Sequence, residues 1–398
     1  MREEFLSFSP PDVGDEEIAA VAESLRSGWL TTGPRVREFE ERFASFVDAP
    51  GAVALNSATA AMHVALAVLG IGPGDEVITT TMTFCSSVHV IEHLGARPVL
   101  VDVEPDTLNI DPACVRAAIT PRTRAILPVH LYGHPVDMDP ILAIAREHGL
   151  AVVEDAAHAL PARYRDRMVG RPCGEVPNLV AFSFYATKNL TTGEGGMLTG
   201  PPDLLDAARV WALHGMSRDA YRRYTADGTW RYDVVLPGFK YNMPDLQGAI
   251  GLVQLRRLPE LQARRSEIVE RYHDAFRTLA GVEVPVERPE VQSARHLYVL
   301  RVDGERLGCD RAEFVRELAS RRIGSSVHFI PIHHHTYYRG KYGYTEGSFP
   351  VADREFERIV SLPLSPALSN ADVDDVIQAV SEIVELGGRS RSEIYRGS

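Results

Sequence analysis

Phe182-Ser183-Phe184-Tyr185-Ala186-Thr187-Lys188-Asn189-Leu190, continued by Thr191-Thr192-Gly193-Glu194-Gly195-Gly196, joins an apolar run to one lysine and then to a glycine-rich turn. The apolar run reads as a buried strand, so Lys188 is expected to project from the edge of a buried sheet. A desolvated amine has a lowered pKa and becomes nucleophilic enough to condense with an aldehyde. Taken alone, a lysine at a strand end is also at home as a snorkelling residue whose ammonium reaches water. Composition adds weight to the chemical reading. The chain has 39 arginines and three lysines, Lys188, Lys240 and Lys341. Codon usage can produce such a bias, but a lysine retained in it suggests a task that arginine cannot perform, and imine formation is one.

Upstream, short apolar runs alternate with amphipathic stretches. Candidate strands are Ala52 to Leu55, Glu76 to Thr79, Pro98 to Val101, Ala125 to Val129, Ala151 to Glu154 and Leu179 to Phe182. Helical patterns lie between them at Ala60 to Leu69 and at Pro140 to His148, the second stopped by Gly149. A βαβ series of this kind predicts an α/β fold with a mostly parallel central sheet covered by helices on both faces. In such sheets ligands bind at the carboxyl ends of the strands. Downstream, an Arg- and Glu-studded helical pattern from Pro244 to Leu279, interrupted near Pro259, reads as a connector. Strands are expected at His296 to Val302 and Ser326 to Ile330, helices at Arg311 to Arg321 and Ala371 to Leu386, and an irregular polar end from Gly387 to Ser398. With 398 residues, two lobes are expected: a large domain over residues 1–250, and a connector helix with a smaller α/β domain over 251–398.

Hydrophobic residues at 45% and charged residues at 24% are the balance of a soluble globular protein. A formal net charge of -12 disfavours nucleic acid as a partner, although one helix N-terminus suffices for a single anionic ligand. Cys85, Cys114, Cys173 and Cys309 show no C-x-x-C spacing, and Met1-Arg2-Glu3-Glu4 leads into no apolar signal segment. Reduced thiols and a cytoplasmic location are the expectation. No apolar run approaches the roughly 20 residues that span a bilayer, so no membrane segment is expected.

Two more segments carry chemistry. Val152-Val153-Glu154-Asp155-Ala156-Ala157-His158-Ala159 places two carboxylates at a strand end. A carboxylate there can bond a cationic ring nitrogen, as an electron-sink pyridinium requires, or simply cap the next helix. Asn56-Ser57-Ala58-Thr59-Ala60-Ala61 joins a strand to a helix through small residues, and its amides and the Thr59 hydroxyl suit a phosphate dianion as well as ordinary capping. Neither G-x-G-x-x-G nor G-x-x-x-x-G-K-[ST] occurs, which removes the main support for dinucleotide and P-loop readings.

The order of the three segments is a phosphate cup, an acidic strand end, and a lysine 33 residues beyond Asp155. That order resembles pyridoxal-phosphate (PLP) enzymes of fold type I, the aspartate aminotransferase superfold, and specifically the sugar aminotransferases of the DegT/DnrJ/EryC1/StrS family. The likeness runs from Ser27-Gly28-Trp29-Leu30-Thr31-Thr32-Gly33-Pro34 to Ser361-Leu362-Pro363-Leu364. It implies that Lys188 holds the cofactor as an imine and moves the substrate proton, and that Asp155 binds the pyridine nitrogen. Ala58, Thr59 and Ser183 would bind the phosphate, Phe84 would stack on the ring, and His158 would lie near it. Gly238-Phe239-Lys240-Tyr241-Asn242-Met243-Pro244-Asp245-Leu246 resembles the segment whose asparagine reaches the partner's phosphate. This implies a homodimer with shared sites and a role for Asn242 across the interface. Trp29, Thr31, Lys240, His333 and Tyr338 are the implied substrate residues, with ordinary packing the competing reading for Tyr338. The triplet His333-His334-His335 also suggests metal, but no Cys or acidic partner has ligand spacing, so none is expected.

The resemblance is nearest to the branch that aminates C4 of nucleotide-linked 4-keto sugars, including the enzyme that makes 4-amino-4-deoxyarabinose. It implies transfer of an amino group from glutamate, released as 2-oxoglutarate, to C4 of a dTDP- or UDP-linked 4-keto-6-deoxy sugar in ping-pong fashion. The alternatives are a C3 sugar aminotransferase of the same family and a non-catalytic PLP- or sugar-binding regulator. A family dehydratase would carry His in place of Lys188. A nicotinamide Rossmann enzyme would need the missing glycine fingerprint.

Overall fold

The computed structural model describes residues 2–217 and 232–396. Its centre is a seven-stranded sheet of β1 (Ala52–Leu55), β2 (Glu76–Thr80), β3 (Arg97–Val101), β4 (Thr123–Leu127), β5 (Ala151–Asp155), β6 (Asn178–Ser183) and β7 (Gly196–Thr199). The order across the sheet is β1-β7-β6-β5-β4-β2-β3. Every neighbouring pair from β6 to β3 is parallel, while β7 runs antiparallel to both β6 and β1. The strands are continuous apolar runs because helices cover both faces; β2, β5 and β7 are buried at every position. The expected mostly parallel α/β sheet is therefore present, with one reversed strand, β7, that was not among the expected strands.

Glycine makes that reversal possible. A Cβ at Gly196 would lie 2.3 Å from the Ser57 carbonyl carbon and 2.6 Å from the Ala58 nitrogen. Only a residue without a side chain lets β7 run against the start of the helix Ala58–Val68. Gly149, at φ +63°, ends the helix Met138–His148 in the left-handed conformation, as the sequence predicts.

The helix Asp245–Phe276 runs unbroken through Pro259, contrary to the expected interruption. Proline removes one hydrogen bond, but Leu255, Leu258 and Leu261 on either side of it are buried and hold the helix against its neighbours. Leu255 and Leu258 join the core under the first helices, whereas Ile268, Val269, Tyr272 and Phe276 join a separate C-terminal core. Residue 250, the expected end of the large domain, falls inside this helix. The C-terminal core packs on an antiparallel sheet of β8 (Val282–Glu283), β9 (Tyr298–Val302) and β10 (Ile359–Leu362), ordered β8-β9-β10. Ser326 to Ile330, expected as a strand, makes a single bridge at Ser326 to Ser361. The last helix continues to Arg396, beyond the expected end at Leu386.

The chain's start is bound into the same C-terminal core. Leu6 is buried there, donates to Arg322 O at 2.9 Å and accepts from the Gly324 amide at 2.9 Å.

Asp245, at 1% exposure, holds the start of the helix Pro34–Phe46. Its carboxylate accepts from the amides of Gly33 (2.8 Å), Arg35 (3.1 Å) and Val36 (3.0 Å). Those are orphan donors of a helix N-terminus that has no cap of its own. Asp245→Ala leaves them without an acceptor and is expected to cost about 2–3 kcal/mol, read as a lower urea midpoint at unchanged slope.

Candidate active site

At the carboxyl ends of β5 and β6 a cavity of about 540 Å³ opens toward the C-terminal lobe. Three connections form its floor. The turn after β1 delivers Ser57, Ala58 and Thr59; β5 and the turn after it deliver Asp155, Ala157 and His158; and β6 and the segment after it deliver Ser183 and Lys188. Lys188 is fixed by its own turn. Its amide donates to Tyr185 O at 2.9 Å, and the next residue, Asn189, donates from its side chain to Ala294 O at 2.7 Å. Beyond it, Thr191 and Thr192 donate to the carbonyls of Phe184 and Glu194 at 2.6–3.2 Å, and the Gly193 amide donates to Thr191 Oγ1 at 2.9 Å.

Burial pushes the Lys188 ammonium down to about 8, with the Asp155 carboxylate pulling the other way. At neutral pH about a tenth of such amines are uncharged, against fewer than about one in a thousand for an exposed lysine. Asp155 is 4% exposed and accepts from Ser87 Oγ at 2.7 Å and from the Ala157 amide at 3.1 Å. It does not cap a helix, since the residues after it form turns.

The Ser57 side chain accepts from the Ala60 amide and caps the helix Ala58–Val68. The first amides of this helix, at Ala58 and Thr59, have no partner within the helix, and both residues line the cavity. An oxyanion placed there meets amide donors and the positive end of an eleven-residue helix. Gly195 also lines the cavity, and a Cβ there would lie 2.2 Å from Thr192 Oγ1.

Histidines supply much of the remaining polarity. Burial, then Lys188 and His328, keep His158 well below its ordinary pKa, and burial and Lys188 push His328 down to about 4. The Tyr132 amide donates to His158 Nδ1 at 3.2 Å, so the proton of this neutral ring sits on Nε2. His296 is held the other way round. Asn189 uses its NH₂ on Ala294 O and Gln262, so its oxygen accepts from His296 Nδ1 at 3.1 Å, and Nε2 is left as an acceptor.

The cavity thus brings together Ala58, Thr59, Phe84, Asp155, His158, Ser183 and Lys188, all seven taken from sequence. Phe84 is 56% exposed at the wall, with its ring 5.8 Å from that of Phe329. The other six expected site residues do not line it. Asn242 donates to Thr32 Oγ1 at 2.7 Å and accepts from Lys240 Nζ at 2.6 Å. Trp29 and Thr31 are exposed on the neighbouring segment. Tyr338 is 1% exposed, in the core. His333 is buried behind the wall, with Nδ1 2.7 Å from Thr81 Oγ1 and Nε2 2.7 Å from Asp353 Oδ1. His334 Nε2 meets the same oxygen at 2.6 Å, so Asp353 is the acidic neighbour that sequence spacing did not reveal.

Sequence reasoning missed Phe8, Tyr185, His296, His328 and Phe329, which form much of the upper wall. A histidine inside an apolar stretch, such as His296 before β9, has the same local signature as a core residue. Among the described residues, no helix is long and apolar enough to cross a membrane.

Residues 11–381 match the model of the DegT/DnrJ/EryC1/StrS aminotransferase family. Over 96% of this chain and 98% of the relative, the sequence is 52% identical to the spore coat polysaccharide biosynthesis protein SpsC of Bacillus subtilis strain 168. The protein Spr1654 of Streptococcus pneumoniae, solved in a PMP-form, superposes with a TM-score of 0.89 at 37% identity over 96% of this chain and 100% of its own. Its PLP-form gives 0.87 at 37% identity, covering 96% and 99%. The sugar aminotransferase CalS13 of Micromonospora echinospora gives 0.84 at 33% identity, covering 94% and 99%. A match over nearly the whole length, with the lysine, the acid and the helix N-terminus meeting in one cavity, establishes that the chain belongs to the DegT/DnrJ/EryC1/StrS aminotransferase family.

Proposed function

We propose that this protein uses pyridoxal 5'-phosphate to transfer an amino group from glutamate to C4 of a dTDP- or UDP-linked 4-keto-6-deoxy sugar. The observation that carries the reading is the placement of Lys188 and Asp155 on one cavity floor beside a helix N-terminus whose first two amides have no partner within the helix. These residues fit the cofactor by their chemistry: a partly neutral amine, an ionisable acid with each oxygen already accepting one bond, and amide donors for a phosphate. When bound, the cofactor supplies an aldehyde that condenses with amines and a ring that accepts electrons.

The chain's own residues do the rest. Lys188 Nζ takes the proton from the donor's α-carbon and later delivers one to C4 of the acceptor. Asp155 keeps a ring nitrogen protonated opposite it. With the cofactor bound, the Ala58 and Thr59 amides and the Ser183 hydroxyl would hold the phosphate, and Phe84 and His158 would hold the ring. Asn242, engaged with Thr32 and Lys240 away from its own chain's cavity, acts in a partner subunit's site in a homodimer. Trp29, Thr31 and Lys240 lie on the same exposed surface and bind the nucleotide sugar. The likeness to CalS13 and the full-length match to SpsC support a sugar acceptor.

The test is a screen of nucleotide-linked keto sugars with glutamate as donor and the product identified by NMR. Amine at C4 of a 4-keto-6-deoxy sugar, with 2-oxoglutarate released in equal amount, is expected. Amine appearing at C3 would transfer the assignment to the C3 branch. No turnover of any acceptor by a yellow protein would leave a cofactor-binding regulator.

A further inference from the structure

We infer that Thr83 and Ser87 form a directed hydroxyl chain that positions Asp155, and through it sets how firmly the ring nitrogen of the cofactor is held. The inference rests on the proposed reading of the cavity as a pyridoxal-phosphate site.

Ser87 is fully buried, and its Oγ lies 2.7 Å from Asp155 Oδ2, 2.9 Å from Thr83 Oγ1 and 3.3 Å from Phe84 O. A hydroxyl has one proton to donate. Asp155 offers the shortest and the only charged acceptor of the three, so the Ser87 proton goes there. Thr83 must then be the donor to Ser87. The order of donation, Thr83 to Ser87 to Asp155, is fixed by proton count, and each link strengthens the next.

The chain fixes orientation as well. The Ala157 amide reaches Asp155 Oδ1 and Ser87 reaches Oδ2, so the carboxylate cannot turn about its stem without losing one of them. The groups that share the cavity with it are Lys188, His158, His296, His328, Glu194 and Tyr185, and none of them makes a hydrogen bond to Asp155.

The turn at Thr83–Phe84 and the start of the helix Ser86–His93 therefore serve the site together, since Phe84 lines the wall while Thr83 and Ser87 lead to Asp155. The loop is anchored from behind. Thr81 Oγ1 lies 2.7 Å from His333 Nδ1, Thr81 O accepts from the Ile332 amide at 2.8 Å, and Asp353 holds His333 in turn. This gives the buried His333 a positioning role without contact to substrate.

The test uses the full chain loaded with pyridoxal phosphate and free of substrate, in Ser87→Ala, Thr83→Val and Thr83→Ser forms. Two quantities are read: the pH midpoint of the visible absorption change, and the rate at which cofactor is lost on dialysis. Weaker holding of the ring nitrogen leaves less positive charge beside Lys188 Nζ, so its proton is retained to higher pH. Ser87→Ala is expected to raise the midpoint by about one pH unit and to speed cofactor loss about tenfold. Thr83→Val should move both readouts the same way by less, and Thr83→Ser, which keeps the donor, should restore the wild-type values. A wild-type midpoint and retention in Ser87→Ala, or a Thr83→Ser variant displaced as far as Thr83→Val, would overturn the chain. Because the threonine pair changes only one methyl or hydroxyl, it decides the matter even if Ser87→Ala does not fold. Wild-type protein that takes up no cofactor would overturn this inference and the proposed function together; yellow wild type with unshifted variants would overturn the inference alone.

Discussion

Lys188→Arg is expected to lower amino transfer by more than about 10³-fold while leaving the protein folded. Arginine keeps a positive charge and a long stem, so the turn at Tyr185 to Asn189, held by backbone bonds, has no reason to open. It cannot lose a proton at working pH and cannot form an imine, so both roles of the amine disappear together. The check is single-turnover release of 2-oxoglutarate, paired with borohydride fixation of the cofactor followed by peptide mapping. The wild type should carry the label on the peptide containing Lys188, and the variant on none. Lys240 and Lys341 are built-in controls, one bonded to Asn242 at 2.6 Å and the other to Glu92 at 2.8 Å, neither on the cavity wall. Substantial turnover by the variant, or label on either control lysine, would remove Lys188 from its assigned role.

Asp155→Asn is expected to cost roughly 10²–10³-fold in turnover with little change in melting temperature. The amide oxygen can still accept from the Ala157 amide, and Ser87 can turn its hydroxyl to Phe84 O, 3.3 Å away. What the variant lacks is a negative charge beside the ring nitrogen, and a neutral amide cannot keep that nitrogen protonated. The loss should fall on kcat more than on KM, because the charge matters most when electrons leave the substrate for the ring. A variant with unchanged kcat would show that the acid is there for folding.

Much of the site was legible in sequence because the βαβ architecture turns chain position into spatial position. Strands buried on both faces are uninterrupted apolar runs, and the residues just past their ends are the ones that meet at the ligand site. Asp155, Lys188, Ala58 and Thr59 each follow such a run within a few residues, so local reading places them. The upper wall follows no such rule. His296, His328 and Phe329 arrive from the C-terminal lobe, more than a hundred residues beyond Lys188, through contacts that no local pattern encodes. Ser326 to Ile330 looks like a strand by composition, but it pairs at one residue only, so that His328 and Phe329 can turn toward the cavity. Ser87 escaped notice because a serine early in a helix reads as a capping residue. Its partner Asp155 is 68 residues away.

The pairing of the N-terminal segment with the C-terminal lobe dictates when the site can exist. Leu6 bonds to Arg322 and Gly324, Phe8 O accepts from the Leu364 amide at 3.3 Å, and Pro10 O accepts from Ser365 Oγ at 2.6 Å. Phe8 also stacks on His328, at 5.3 Å between rings, and the two side chains roof the cavity. On the ribosome, residues 6–10 emerge before residues 322–365 and must wait for them before they find these partners. The sheet and its lysine can assemble earlier, whereas the roof closes only once residues 322–365 have been made, so nascent chains that stall before that point present an open, unroofed floor.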